Sequence, residues 1–553
     1  MKIPTPQKAL ARKFKASPTP VKNHWLGGLL ILVLAWLPLA NSALAGLRPQ
    51  EATAASPLRP PDVLSNGYPI GQPSLSDLWV DPLNGNDDYT GSSRDQALAT
   101  ITAAWGRIPQ GTPLIDSGYR LMLAAGDYPE SSYPIRWESH YGTAAAPILI
   151  QSADGPGAAR LQGFINIYDT RYLYLIDLSM ANTGDVFHCE KCDHLLLRGL
   201  TMNGGSGHEA HETVKINQSQ YIYIENSDIF NTYENTIDFV AVQYGHILNN
   251  RLHDGDDWCI YLKGGSAYFL IEGNEIYNCG TGGFSAGQGS GLEFMVSPWL
   301  HYEAYDIKFI NNLVHDTFGA GMGVNGGYNI LLAHNTLYRV GANSHLIEVV
   351  FGSRSCDGLV TVCAANLLAR GWGKTSTGEE GEPIPDRNIF IFNNLVFNPP
   401  GFQSQWQHFA IYGPRIPESG SNIPSPAVTD QNLIIRGNLI WNGGADMPLG
   451  IGDSNQGCQD SNPTCNSVQL RADNIINTIE PELVNPLHAD FHPQMDGNIF
   501  RLQAAPIPNF NWSDAPTTPF VPSGNLDNQV KSDYSGVPRL QVDIPRTYSR
   551  GNP

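Results

Sequence analysis

Apolar and polar residues alternate in short runs from about Tyr172 to Asn442, and the runs return in the same order every 22 to 24 residues. Each copy holds an apolar pair, an Asn, a second apolar stretch and then an Asp or Asn. The copies centre on Asn250, Asn274, Asn312, Asn335, Asn394 and Asn438. Self-similarity at a fixed short period means one supersecondary unit stacked many times. Period-2 alternation inside each copy, with no helical segment between copies, predicts strands with one buried face. The predicted fold is all-β, each copy forming one turn of a parallel β-helix.

Counting from the repeated Asn, offsets +10 and +12 point into the core: Ile237 and Phe239, Ile260 and Leu262, Phe284 and Ala286, Met322 and Val324. The Asn itself sits at a bend. Stacked in register, Asn250 and Asn274 can pass amide hydrogen bonds along the solenoid as an Asn ladder, a structural role. Before the repeat, residues 46–76 are rich in Pro, Ala and Ser and read as a linker. Residues 77–170 read as an N-terminal cap and first coils: Trp79 opens a strand, Asn84 to Asp88 a turn, and Ala97 to Trp105 has helical spacing. A cap with a short helix covers the open end of a stack. Residues 171–445 form the β-helix, interrupted by insertions at 288–305, 352–386 and 401–430. Residues 446–553 read as an irregular tail that packs along or caps the far end.

Offsets +11 and +13 point outward, where a solenoid can carry chemistry. Allowing for a four-residue insertion at Gly204 to Ala210, offset +11 holds Lys215, Asp238, Tyr261 and Ser285, and offset +13 holds Asn217, Val240, Lys263, Gly287, Asn325 and Glu348. Neighbouring coils lie about 4.8 Å apart, which puts Lys263 roughly 8 Å from Asp238, backbone to backbone. That gap accommodates a sugar ring or a cation. Asp254, Asp256 and Asp257 crowd three carboxylates into four residues at a turn. Such crowding calls for a proton or a metal, and Ca²⁺ is the hard cation that suits oxygen donors. A solvated Asp-rich turn is the plainer alternative. Lys263 beside Tyr261 and opposite Asp238 is the candidate base for removing a proton next to a sugar carboxylate, with Lys215 in reserve. A free lysine, with a pKa of about 10.4, needs desolvation or a nearby cation to act so. A surface salt bridge would use the same residues. A hydrolase would instead pair Asp238 with Asp257 or Glu348. Trp299 and Tyr302 stand in an aromatic loop suited either to stacking on sugars or to plugging that loop onto the solenoid. Tyr261, Asn325 and Glu348 complete the expected substrate-binding surface.

The first 45 residues change the setting. Six cations precede the apolar run from Trp25 to Ala40, and Ala43-Leu44-Ala45 follows as a small-residue cleavage pattern, so residues 1–45 read as an export signal. No second stretch is apolar and long enough to span a bilayer. Losing those six cations takes the formal charge from −19 to −25. A chain so acidic is not built to bind nucleic acid or anionic membranes, and it would meet an acidic polysaccharide only with a cation between them. A monomer is expected. In an oxidising compartment Cys356 with Cys363, and Cys458 with Cys465, are spaced as loop-closing disulfides. Cys259 and Cys279, one coil apart, are either bonded or simply buried. Cys189 and Cys192, flanked by His188 and His194, offer half a zinc site without a second half.

The Asn-bearing coils, the opening Trp79-Val-Asp-Pro-Leu-Asn-Gly-Asn-Asp-Asp88 and the closing Asp533-Tyr-Ser-Gly-Val-Pro-Arg539 together resemble secreted proteins of the right-handed parallel β-helix, pectate-lyase-like superfamily. The coil Asp257-Trp-Cys-Ile-Tyr-Leu-Lys263 is similar to the lysine-bearing coils of calcium-dependent lyases, whereas no arginine stands in the outward columns. The resemblance implies a right-handed solenoid and a carbohydrate partner. It leaves open a Ca²⁺-assisted β-eliminating lyase or uronate epimerase, a glycoside hydrolase, and a non-catalytic rod that binds glycans or proteins.

Overall fold

The computed structural model describes residues 67–134, 136–205, 207–377, 381–512 and 518–539. The expected export signal lies outside the described residues, as does the linker up to residue 66. Among the described residues, no helix is long and apolar enough to cross a membrane.

The repeat folds as expected, into coils that each contribute one strand to three parallel sheets. One coil places Gln243–Leu248 in sheet A, Arg251–Gly255 in sheet B and Trp258–Lys263 in sheet C. Each strand pairs in parallel with its counterpart in the next coil, so Ile247 lies beside Ile271, Leu252 beside Ile276 and Ile260 beside Phe284. Among the described residues sheets A and B have twelve strands and sheet C has ten. The inward residues at offsets +10 and +12 are all buried and join one core that runs through the coils.

Seven asparagines form the ladder. Nδ2 of Asn250 donates to Oδ1 of Asn274 at 3.0 Å, and the chain passes on through Asn312, Asn335, Asn394, Asn438 and Asn474. The same Oδ1 atoms accept the backbone N–H of the preceding Asn, as Asn312 Oδ1 does from Asn274 at 3.0 Å. The bend thereby satisfies buried polar groups that a turn would otherwise leave unpaired.

The ends depart from the predicted boundaries. Coiling begins at Leu75–Val80, which pairs with Gly118–Leu123, so the last residues assigned to the linker are structured. Tyr68 stacks on Tyr223 at 4.3 Å, and its backbone N–H reaches Glu225 at 2.6 Å. The cap helix is shorter than its spacing implied, Ile101–Trp105, and buries Ile101, Ala104 and Trp105. At the far end the helix Ser467–Asp473 buries Leu470, and sheet B continues to Ile475–Ile476. Part of the tail runs along sheet A, where Phe510 packs on Phe390 at 4.8 Å.

All eight cysteines are paired: Cys189–Cys192, Cys259–Cys279, Cys356–Cys363 and Cys458–Cys465. The half zinc site is thereby a disulfide. The insertions associate with one another. Gly289–Gly291, Gly352–Ser355 and Glu382–Ile384 form a small sheet of their own, bringing the first two together.

Candidate functional site

Sheet C presents its outward residues in straight columns. Lys215 lies beside Asp238, Asp238 beside Tyr261, and Tyr261 beside Ser285. Lys263 pairs with Val240, which puts it diagonally across from Asp238. The column then passes through Gly323 to Glu348, not through the Lys263 column as the offsets predicted. Two extra residues between Asn335 and Ile347 shift that coil's count.

The turns leading into these strands supply further carboxyls that the outward columns omitted. Glu212 and Glu234 precede the strands Val214–Asn217 and Ile237–Val240. The backbone N–H of Asp257 bonds to the carbonyl of Glu234, so these two acids stack one coil apart. Glu212, Asp238, Tyr261 and Lys263 are all buried. Lys215 Nζ donates to Glu212 Oε1 at 2.9 Å and contacts Asp238 Oδ2 at 3.2 Å. Lys263 Nζ donates to the Tyr261 hydroxyl at 2.9 Å and lies 4.3 Å from the centre of its ring.

Charge is unevenly held in this cluster. Burial pushes Glu212 up to about 8, and the neighbouring Asp238 charge adds to the shift. Burial also favours a neutral Asp238, but Lys215, Lys263 and a hydrogen bond from Glu212 outweigh it and keep Asp238 ionised. Burial works against the Lys215 charge, yet Asp238 and Glu212 hold it above the ordinary lysine range. The charged form of Lys215 is thereby favoured, held by Glu212 and Asp238. Glu234 and Asp257 are both raised, first by burial and then by nearby carboxylates. Burial and four surrounding acids push Tyr261 far up, so its hydroxyl stays protonated.

Glu212 binds its proton more tightly folded than at its ordinary value of 4.5. That stabilisation is complete below pH 4.5 and is lost as pH rises through about 8. Melting temperatures measured in chelator are expected to fall between those pH values, and Glu212→Gln is expected to flatten that fall. An unchanged slope in the variant would show that Glu212 does not carry the effect.

Other expected site residues lie elsewhere. Asp254 turns away to sheet B, where it accepts from His253 at 2.7 Å and from Asn278 at 3.1 Å. There His253 belongs to a ring stack with Phe230, Tyr277 and His315. Asp256 is exposed. Of the three aspartates, only Asp257, in the bend just before the strand Trp258–Lys263, faces the cluster, where Lys263 and Asp238 act on it. Among the described residues, the only three acidic, His or Cys groups close enough to share one ion are Glu293, Cys356 and Cys363, and both cysteines are disulfide-bonded. Trp299 and Tyr302 anchor the first insertion. Trp299 donates to the Tyr268 hydroxyl at 3.0 Å, and Tyr302 packs against Tyr305, Tyr328 and Trp372. They fasten the loop and offer no open face to a sugar. Asn325 is buried against Ser285 at 3.1 Å. Glu348 bonds His345 at 3.0 Å and lies four coils from Asp238, about 19 Å by strand spacing. That is too far for the two to flank one glycosidic bond.

Several buried polar atoms at the cluster have no hydrogen-bond partner among the described residues: Oδ1 and Nδ2 of Asn235, Oδ1 of Asp238 and Oδ1 of Asn217. Asn235 adjoins Glu234 in the turn that leads to Asp238. Orphaned oxygens among crowded carboxyls are the donor set a hard cation takes.

Residues 185–357, which span this whole cluster, match the family model for the right-handed β-helix region. The fold is a right-handed parallel β-helix. No curated protein matches this β-helix. Among solved structures it is similar to a rhamnogalacturonan lyase, with 12% identity and a TM-score of 0.42 over 66% of this chain and 87% of that one. It is also similar to the pectate lyase Pel9A, with 14% identity and a TM-score of 0.37 over 81% and 96% of the two chains. The surface adhesin PfbA of Streptococcus pneumoniae shares 11% identity and a TM-score of 0.36 over 63% and 88%. Likeness at this level is a likeness of stacked coils.

Proposed function

We propose that this β-helix is an exported polysaccharide-processing enzyme that works on the outer face of sheet C, as a β-eliminating lyase or the related epimerase on an acidic polysaccharide. One observation carries the reading. Glu212, Glu234, Asp238 and Asp257 crowd around Lys215, Tyr261 and Lys263 on the outer side of sheet C, away from the main core, where only Tyr261 has a packing role, against Trp258 and Ala320. Burying so many ionisable groups costs stability, and such concentrations mark functional sites.

In this reading Lys263, which gives up its own proton when a bound cation offsets the surrounding acids, takes as the free amine the proton next to the sugar carboxylate. Tyr261, kept neutral, offers a hydroxyl proton toward the leaving oxygen. Lys215 and Asp238 hold each other in place. Glu212, Glu234, Asn235 and Asp238 would hold Ca²⁺ only by drawing together around it, because no three of these carboxyls lie close enough to share one ion as they stand and two of them grip Lys215. A bound Ca²⁺ would neutralise the substrate carboxylate and acidify the adjacent carbon. The orphaned oxygens of Asn235 and Asp238 support that fit. Hydrolysis by the Glu212–Asp238 pair is less favoured, because both carboxyls grip one ammonium, while flanking a glycosidic bond takes about 5 Å or more between them.

The test is to mix the protein with pectate, alginate and glycosaminoglycans in calcium and follow the ultraviolet absorbance of unsaturated products. Epimerisation would be read by proton exchange at the sugar carbon. Product that appears with calcium and stops with chelator is expected. Binding without any turnover on the whole panel would favour the non-catalytic rod instead.

A further inference from the structure

A cavity of about 440 Å³ opens beside the acid–base cluster, bounded by Tyr141, Gly142, Arg171, Tyr172, Lys191 and Gln218. Its size suits one or two sugar rings. Gln218 directly follows the strand Val214–Asn217, which carries Lys215, so the cavity begins where the outer face of sheet C turns the corner toward sheet A.

An aromatic stack runs along that corner. Tyr172, His194, Tyr221, Tyr244 and Tyr268 follow one another in successive coils, with ring centres 4.1, 4.4, 5.0 and 4.7 Å apart. One coil earlier the same position is Gly142, as the bridge between Tyr141 and Arg171 fixes. The stack thus ends at Tyr172, and the next rung has no ring. A side chain could not simply be added there: a Cβ on Gly142 would come within 2.9 Å of the Arg171 carbonyl. Around this gap stand two exposed cations, Arg171, 3.9 Å from Asp169, and Lys191, 3.4 Å from Glu190. Asp169 and Asp193 also line the cavity, so a bound carboxylate would take these cations over from weak surface pairs. Arg171 lies 4.4 Å from the centre of the Tyr141 ring. The Cys189–Cys192 disulfide closes the bend that presents Lys191, and Cys192 lines the cavity floor.

We infer that this cavity is a saccharide subsite in which an acidic sugar residue occupies the missing rung, its ring against Tyr172 and its carboxylate toward Arg171 and Lys191. Flat apolar sugar faces stack on aromatic rings, and the guanidinium fork matches a carboxylate. A polymer lying across the cluster would reach this corner with residues that do not react. The inference rests on the acidic-polysaccharide partner proposed above, and not on the acid–base chemistry.

The experiment is calorimetric titration of the intact protein with short oligogalacturonates and oligomannuronates, and with neutral cello-oligosaccharides as the uncharged arm. Tyr172→Ala is expected to weaken binding of the acidic oligomers about tenfold. The double variant Arg171→Ala/Lys191→Ala is expected to do the same while leaving the neutral arm unchanged. Both of its positions are exposed, so it decides the matter even if Tyr172→Ala does not fold. Unchanged affinity in the double variant overturns the subsite, as does an absence of acidic-oligomer binding to the parent protein. Lys263→Ala separates the two claims: intact binding with undiminished turnover would sink the proposed chemistry and leave the subsite standing.

Discussion

Lys263→Ala is expected to lower turnover of an acidic polysaccharide by about 10²- to 10⁴-fold, the range a positioned general base supplies. The change should fall on kcat, with KM little altered, because Lys263 is placed to touch the reacting proton and not the bulk of the polymer. Its neighbours make the result specific. Lys263 donates to Tyr261, and its charge helps keep Asp238 ionised although Asp238 is buried. Removing the ammonium should let Asp238 take a proton more readily, so the variant's residual activity should also shift its pH dependence to the alkaline side. Lys263→Arg keeps the charge and should keep Asp238 ionised, but its guanidinium does not give up a proton near neutral pH. It should therefore be as inactive as the alanine variant. Full activity in Lys263→Arg would show that only the positive charge matters.

The second large effect concerns the insertions. Arg354 and Glu303 are fully buried, and Nε and Nη2 of Arg354 both reach Glu303 Oε1, at 3.0 and 2.7 Å. Arg354 also donates to the carbonyls of Trp372 at 2.9 Å and His301 at 3.0 Å. The other carboxylate oxygen of Glu303 accepts from the backbone of Gly264 at 2.9 Å, directly after Lys263. One ion pair therefore ties both insertions to the bend that follows the candidate base. Arg354→Ala should cost about 3–5 kcal/mol in urea unfolding, because it leaves the Glu303 charge buried without its counter-charge, with only the Gly264 N–H still bonded to it. The double variant Arg354→Met/Glu303→Leu should recover most of that loss, since the desolvation cost disappears with the charges. A single-variant loss below about 1 kcal/mol would mean that water reaches Glu303.

What was legible in the sequence follows from where the period holds. The Asn spacing and the inward pairs such as Ile260 and Leu262 depend only on local alternation, and they came out as expected. Asp238, Tyr261 and Lys263 also fell on one outer face, because their coils carry no internal length change, and Lys215 joined them once the four extra residues between Gly204 and Ala210 were allowed for. Glu348 landed in the neighbouring column because two residues were added in the turn before it. Asp254, Asp256 and Asp257 looked like one site by adjacency, yet a β-bend sends consecutive side chains apart. Glu212 and Glu234 lie in turns, outside the strand columns that alternation defines, and they are placed at the cluster only by the coil register that sets them one turn before Asn235 and Asp257. Trp299 and Tyr302 show the limit of composition: a flat ring suits a sugar and a loop anchor equally, and burial decided for the anchor. Tyr68, in a Pro-rich stretch that reads as linker, is held by Glu225 and Tyr223 from coils more than 150 residues later, which no local pattern reveals.

The most direct test of the central claim is a crystal structure of Lys263→Ala with a bound oligouronate and Ca²⁺. The account predicts the sugar chain on the outer face of sheet C, its carboxylate near the ion and its acidic hydrogen facing the space vacated by the lysine. A ligand seated away from Asp238 and Tyr261, or an ion bound without Glu212 and Asp238, would contradict it.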